Sequence, residues 1–263
     1  MKRIVKLIGI SGPSSSGKST LSRLLRTVLG ADPRNAVEIV YQDDFYKNDK
    51  DIPINKETGL EDWDCPEAFD MDLLGRVLKT LKTCEGDVSF AKSLYESKEE
   101  TNTLGKIEVT DIELEYEKTK FIEHTRNNLP VLYVIVDGIM LFHDPEAVLP
   151  VLDLAVLLRA QYLELKRRRE ARSGYVTLEG FWTDPPGYFD DMVWPGYVRS
   201  HAYLFQKNGG EGGNNGDDPK GLWLESAPLT EVARSQYKIQ TPGVGWSMYH
   251  TLDWMVDRII ELK

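Results

Sequence analysis

Four short stretches, 4–10, 37–41, 131–136 and 154–158, are almost continuously apolar and rich in Val, Ile and Leu, with long connections between them. Continuous rather than alternating hydrophobicity marks strands buried on both faces, which is how a parallel sheet covered by helices reads. Apolar residues recur at helical spacing in 18–29, 68–81 and 162–172, and the pattern predicts helices there. A last helix is predicted over 246–262, with Trp246, Tyr249, Leu252, Met255, Val256 and Ile259 along one face, and a fifth strand near 237–240. Together these elements define an α/β chain with a five-stranded parallel sheet flanked by helices. Residues 95–128, rich in charge and Thr, read as a surface insertion. The Gly/Asn/Asp tract 208–221 cannot bury enough apolar surface to offset its backbone entropy, so a mobile loop is expected. No repeat recurs at a fixed period.

The length of 263 residues allows one large domain or two small ones, and the element order favours a single domain, 1–263, with insertions. A net charge of −10, from 32 basic and 42 acidic residues, argues against a nucleic-acid binder, whose affinity comes from clustered Lys and Arg. Any anion must therefore meet a local basic site. The two cysteines, Cys65 and Cys84, lack metal-ligand spacing and point to a reducing compartment. The start, MKRIVKLIGISG, has the basic-then-apolar order of a short signal peptide, but it contains Lys6 and runs into SGPSSSGKST rather than a cleavage site, so it reads as a first strand. No apolar run approaches the roughly 20 residues needed to cross a bilayer. The expectation is a cytoplasmic protein with no membrane partner, the nucleus being the alternative.

The segment Gly12–Ser19, GPSSSGKS, satisfies G-x-x-x-x-G-K-[ST] between a predicted strand and a predicted helix. Glycines let the backbone curl so that successive N–H groups face phosphate oxygens, and the helix N-terminus adds partial positive charge. Lys18 reaches the β- and γ-phosphates, and Ser19 offers a hydroxyl to Mg²⁺. Gly12, Ser14, Ser15, Ser16, Gly17, Lys18, Ser19 and Thr20 form the expected ATP site of a P-loop NTPase. The bland alternative is a Gly/Ser-rich turn. A P-loop asks for an acid at the end of another strand, and VLYVIVDG supplies Asp137, either for the magnesium shell or as a simple Asp-Gly turn.

The segment YQDDFY, 41–46, sets two neighbouring carboxylates where the second strand ends. A helix over 18–29 runs about 18 Å away from the phosphate loop, and a strand over 36–42 returns by about 20 Å. Its end is thus level with the P-loop, at the sheet edge where α/β proteins bind ligands. In an extended chain adjacent residues face opposite sides, so one aspartate faces the γ-phosphate. That one is assigned as Asp43, the general base or a magnesium-shell carboxylate, with Asp44 bonding to backbone or a neighbouring loop. The competing reading is that both cap a turn.

In EDWDCPEAFD, 61–70, Pro66 looks like the first turn of a helix with Asp64 or Cys65 near its cap. Trp63 and Asp64 suit a ring and sugar hydroxyls, although the pair taken alone reads sooner as a core Trp beside a capping Asp. In KRRREAR, 166–172, Arg168, Arg169 and Arg172 are spaced to converge on one helix side, as a lid over ATP or as a solvated basic face. The prolines of FWTDPPGYFD, 181–190, end that helix. The lid is placed at about 166–187 and an acceptor-binding insertion at about 44–80.

Taken in order, GPSSSGKS, QDDFY, WD-x-PEA, VDG, KRRR-x-x-R with its Gly-Tyr, and DPP-x-YFD resemble the nicotinamide riboside kinase family of uridine-kinase-like P-loop kinases, in the spacing of its fungal members. The resemblance runs from about residue 4 to 205. It implies that Asp43 is the catalytic base and a magnesium ligand, with Ser19 and Asp137 completing the metal site. It implies that Asp64 binds ribose hydroxyls, that Trp63 and Tyr175 sandwich the pyridine ring, and that Phe45 and Tyr46 line the pocket. Arg168 and Arg172 would serve ATP, and Arg169 the acceptor side. Thr241-Pro242-Gly243 is a candidate adenine-contacting segment. The implied activity is ATP-dependent phosphorylation of the 5′-hydroxyl of nicotinamide riboside, and of nicotinic acid riboside, feeding NAD synthesis. A uridine/cytidine kinase is the rival within enzymes, and a non-catalytic ATP-binding sensor the rival outside them. A GTPase is disfavoured, since Asn55-Lys56 lacks the Asp two residues later that reads guanine.

Overall fold

The computed structural model describes residues 3–97, 107–172, 174–176, 181–206 and 220–262. In chain order the elements are β1 (Ile4–Ser11), α1 (Lys18–Leu29), β2 (Ala36–Tyr41), α2 (Met71–Thr83), α3 (Ser89–Lys92), α4 (Asp111–Thr125), β3 (Val131–Gly138), α5 (Pro145–Val148), β4 (Leu154–Leu157), α6 (Tyr162–Glu170), β5 (Tyr175–Val176), β6 (Phe181–Trp182), α7 (Trp194–His201), β7 (Ile239–Gln240) and α8 (Met248–Ile260). Five strands form one parallel sheet in the order β2-β3-β1-β4-β7, and β5 with β6 forms a separate antiparallel hairpin. The loosely hydrophobic 237–240 thus yields the expected fifth strand, two residues long.

Successive residues of a strand face opposite ways, and here both ways lead into core. Leu7 of β1 joins Leu74, Val77 and Leu78 of α2 and Trp194 and Tyr197 of α7 on one face. Its neighbour Ile8 joins Leu21, Leu25 and Val28 of α1 and Leu252, Met255 and Val256 of α8 on the other. β3, buried along its whole length, lies between β1 and β2. Its register sets Asp137 opposite both Ile10 of β1 and Tyr41 of β2. That alignment levels three strand ends, so the P-loop, the QDDF segment and Asp137 share one edge.

Local chemistry moves some boundaries. The predicted helix over 68–81 is a 3₁₀ turn, Pro66–Ala68, followed by α2; Asp70, whose side chain accepts from the Leu73 N–H at 2.8 Å, starts the helix afresh. The cap expected at Asp64 or Cys65 therefore serves only a short turn, with no side-chain cap bond. α8 begins at Met248, capped by Ser247, so Trp246 precedes the helix and is exposed, and the buried face runs from Leu252 to Ile259. Residues 95–128 are more than a surface insertion. Thr110 and Glu113 form a reciprocal capping box, and α4 buries Glu117, Phe121 and Thr125, with Phe121 packed into the α1/α8 layer. This stripe is only one residue wide per turn, too narrow to stand out in a charged segment.

The tract 208–221, apart from residues 220–221, lies outside the described residues. Among those described, no helix is long and apolar enough to cross a membrane.

Candidate active site

The phosphate loop is shaped by residues that tolerate unusual backbone. Gly12 (φ +147°) lies so close to Leu158 that a Cβ would meet its carbonyl oxygen at 2.7 Å, and Gly17 (φ +93°) turns the chain into α1. Ser15 also sits at positive φ. The hydroxyls of Ser15 and Ser16 are buried without a hydrogen-bond partner among the described residues, and Ser14 is buried beside them. Unpaired donors in a concave loop at a helix N-terminus are what a polyphosphate satisfies. Lys18 is buried and donates to the Pro13 carbonyl at 3.0 Å. Burial lowers its pKa, opposed by the charges of Asp137 and Asp43. Thr20 follows on the first turn of α1.

QDDF is a 3₁₀ turn, Gln42–Phe45, and not the extended segment expected from the sequence. Three residues per turn still send neighbouring side chains about 120° apart. Asp43 faces the P-loop: its carboxyl is pushed up to about 7 by burial first and then by Asp137, with Lys18 opposing. Asp44 points elsewhere and accepts from the Ser97 hydroxyl at 2.9 Å. The like charges at the strand end are separated by the turn, one aimed at the phosphate site and one tying down a neighbouring loop. Gln42, unassigned from the sequence, anchors the turn; it is fully buried and its Oε1 accepts from the Met140 N–H at 2.8 Å. A Cβ on Gly138 would strike Gln42 Cβ at 2.5 Å, so VDG needs its glycine for this contact.

Asp137 is buried at the end of β3, and burial raises its pKa against the pull of Lys18 and of hydrogen bonds from Ser19 and Ser22. Ser22, one turn beyond Ser19, was not singled out in the sequence; its hydroxyl lies 3.5 Å from Asp137 Oδ2. Among the described residues no three His, Cys, Asp or Glu side chains gather into a metal cluster. Two carboxylates and a hydroxyl beside a phosphate cradle nevertheless fit Mg²⁺, which is held through one or two carboxylates with phosphate oxygens and water completing the shell.

The lid residues do not converge as three equivalents. α6 ends at Glu170, which leaves Arg172 exposed beyond it, and Arg168 is exposed, paired with Glu164 at 2.7 Å and 3.4 Å from the Ser15 carbonyl. Arg169 turns inward and is 6% exposed. It donates to Asp64 at 3.1 and 3.2 Å, to Asp184 at 2.7 and 3.0 Å, and to the Ser14 hydroxyl at 2.9 Å. One guanidinium thereby joins α6 to the segments carrying Ser14, Asp64 and Asp184. Burial raises the pKa of Asp64 even with Arg169 in contact. Lys166 completes the lid's attachment through Asp190 at 2.5 Å. Asp184 and Asp190 both belong to DPP-x-YFD; their spacing to KRRR gave no sign of which would pair.

Trp63 is 5% exposed and sits in an aromatic cluster with Tyr46 (ring centroids 5.4 Å) and Trp182 (5.7 Å). Phe45 belongs to the main core and stacks on Tyr95 at 4.9 Å. The backbone of Tyr175 pairs with Trp182 across the hairpin; its side chain lies outside the described residues. Thr241-Pro242-Gly243 follows β7, and Met248 at the start of α8 closes against Gly17 of the P-loop.

A parallel sheet with a P-loop, an acid on the adjoining strand and an arginine-bearing lid is the equipment of a P-loop kinase, which passes a phosphoryl group from a nucleotide to an acceptor. The family model for "Phosphoribulokinase / Uridine kinase family" matches residues 7–170, and the chain belongs to that family. Among its relatives is a nicotinamide riboside kinase of Schizosaccharomyces pombe, 39% identical over 207 residues, covering 78% of this chain and 83% of the relative. The nicotinamide riboside kinase of Saccharomyces cerevisiae is 34% identical over 80% of this chain and 83% of its own. A uridine kinase of Chlamydia pneumoniae is 29% identical over 54% of this chain and 53% of its own.

Proposed function

We propose that the chain transfers the γ-phosphoryl group of ATP to the 5′-hydroxyl of nicotinamide riboside, and of nicotinic acid riboside, forming the mononucleotides used in NAD salvage. The observation that carries this reading is the convergence of Asp43, Lys18 and the Arg169–Asp64 pair at the sheet edge, within a chain like the fungal riboside kinases over most of its length.

Each residue then has a task. The Gly12–Thr20 loop cradles the phosphates, with the Ser15 and Ser16 hydroxyls finding their missing partners there. Lys18 neutralises charge on the transferring group, and Arg168 and Arg172 do so from the lid. Asp43 takes the acceptor's proton, a role suited by a carboxyl held near neutrality in the ligand-free site. Asp64, oriented by Arg169, accepts from the ribose hydroxyls, while Trp63 and Tyr46 present aromatic surface to the ring. Ser19, Asp137 and Asp43 would hold Mg²⁺, which when bound would offset the charge of the phosphates. Closing the lid keeps water, the competing acceptor, out. The unpaired Cys65 and Cys84 suit a reducing location, and the cytoplasm is proposed.

The test is ADP release with ATP and Mg²⁺ against nicotinamide riboside, nicotinic acid riboside, uridine and cytidine, with mass detection of products. Turnover concentrated on the pyridine ribosides is expected. Faster turnover on uridine would move the chain to the other named activity among its relatives, and nucleotide binding without any product would leave a sensor.

A further inference from the structure

Beside Trp63 stands a residue to which the sequence assigned no role. Trp182 is carried by the β5–β6 hairpin, and its indole lies 5.7 Å from that of Trp63, inclined by 44°, and 5.7 Å from the ring of Tyr188. Sandwiching a planar ligand takes two contacts of about 3.5 Å each. The indoles are therefore too close to hold a ring between them and instead form two walls of one corner.

Both indoles are held in the same manner. Trp63 Nε1 donates to Glu61 Oε2 at 3.1 Å, and Trp182 Nε1 donates to Asp184 Oδ1 at 2.9 Å. Each carboxylate lies two residues from its Trp. Asp184 is itself gripped by Arg169, which also grips Asp64, so the plane of Trp182 is tied to the acceptor loop. Anchored through an ion pair whose guanidinium is buried, Trp182 is a fixed wall and not a gate. An N–H donated to a carboxylate also leaves the indole more electron-rich, and Glu61, Asp64 and Asp184 place three carboxyl groups by the two indoles, two of them held by Arg169.

We propose that Trp182 is a specificity-determining residue of the acceptor site, and that the carboxylate-anchored pair Trp63 and Trp182 selects a planar ring bearing positive charge. The assignment rests on the riboside-kinase reading and extends it: the feature of the acceptor that is read is the charge of the pyridinium, beyond its outline.

The test is calorimetric titration of the full chain, with a non-hydrolysable ATP analogue present, by nicotinamide riboside and by its 1,4-dihydro form, which has a similar outline without the ring charge. The wild type binds the cationic form about tenfold more tightly or better, the size expected of a desolvated cation–π contact. Trp182→Leu brings the two affinities within about threefold, and Trp182→Phe, which keeps an aromatic face and decides the matter if the Leu variant does not fold, gives an intermediate gap. Equal affinities in the wild type, or an undiminished gap in the folded variants, overturn the assignment. Phosphorylation of nicotinamide riboside by the wild type without an affinity gap removes the role of the indole pair alone. Neither binding nor product removes the riboside-kinase reading and this inference together.

Discussion

Asp43, the proposed base, is a side chain that opposes stability. Its carboxyl sits at about 7 in the ligand-free protein because burial and Asp137 disfavour the charge. Between about pH 4 and 7 the folded protein keeps a proton that the unfolded chain has lost, so stability falls as pH rises through that window and stays lowered above it. Asp43→Asn removes the penalty: without ligand the variant should melt higher than the wild type at pH 8, the gap shrinking toward pH 5. The same substitution should cut turnover by about 10²-fold or more while ATP still binds. A variant that melts lower at pH 8, or turns over normally, would deny Asp43 its place.

Arg169 carries the opposite balance. It and Asp64 are both buried, and removing Arg169 takes the cation from both Asp64 and Asp184, whereas removing Asp64 leaves Arg169 its pair with Asp184. Arg169→Ala is expected to cost about 3–5 kcal/mol in chemical denaturation. The double variant Arg169→Ala with Asp64→Asn should recover part of that loss; strict additivity would mean the two side chains are not coupled.

Among the elements, α4 and the QDDF turn each have one contact whose removal tests their place. Phe121→Ala should destabilise the fold by about 3–5 kcal/mol if α4 belongs to the α1/α8 layer, and by little if it is peripheral. Gly138→Ala would force Gln42 from its bond to Met140 and shift the turn bearing Asp43. The expected result is a loss of about 1–3 kcal/mol, read from thermal melts, together with weaker turnover. Strands and the P-loop were legible in the sequence because their causes are local: runs of apolar residues, and glycines flanking Lys18. The broken helix at Asp70 and the narrow stripe of α4 were harder, since a cap and one buried residue per turn leave little periodic signal. Asp184 and Trp182 were not legible as partners, because their neighbours Arg169 and Trp63 meet them only after the lid folds across the sheet edge.

For the molecule as a whole, a −10 chain that must bind polyphosphate does so by concentrating its positive charge. Lys18 and Arg169 are buried at the edge where three strand ends are level, with Arg168 and Arg172 exposed, while the surroundings of Trp63 and Trp182 are rich in carboxylates. Under the proposed function, the opposed polarities sort the two substrates: anionic nucleotide on the P-loop, cationic ring on the aromatic side. The measurement that tests this most directly is a competition in which ATP, Mg²⁺ and the chain are given an equimolar mixture of nicotinamide riboside and uridine, with the two mononucleotides counted by mass early in the reaction. Predominance of nicotinamide mononucleotide, lost in Asp43→Asn, is the predicted result; predominance of uridine monophosphate, or the absence of both, would contradict the account.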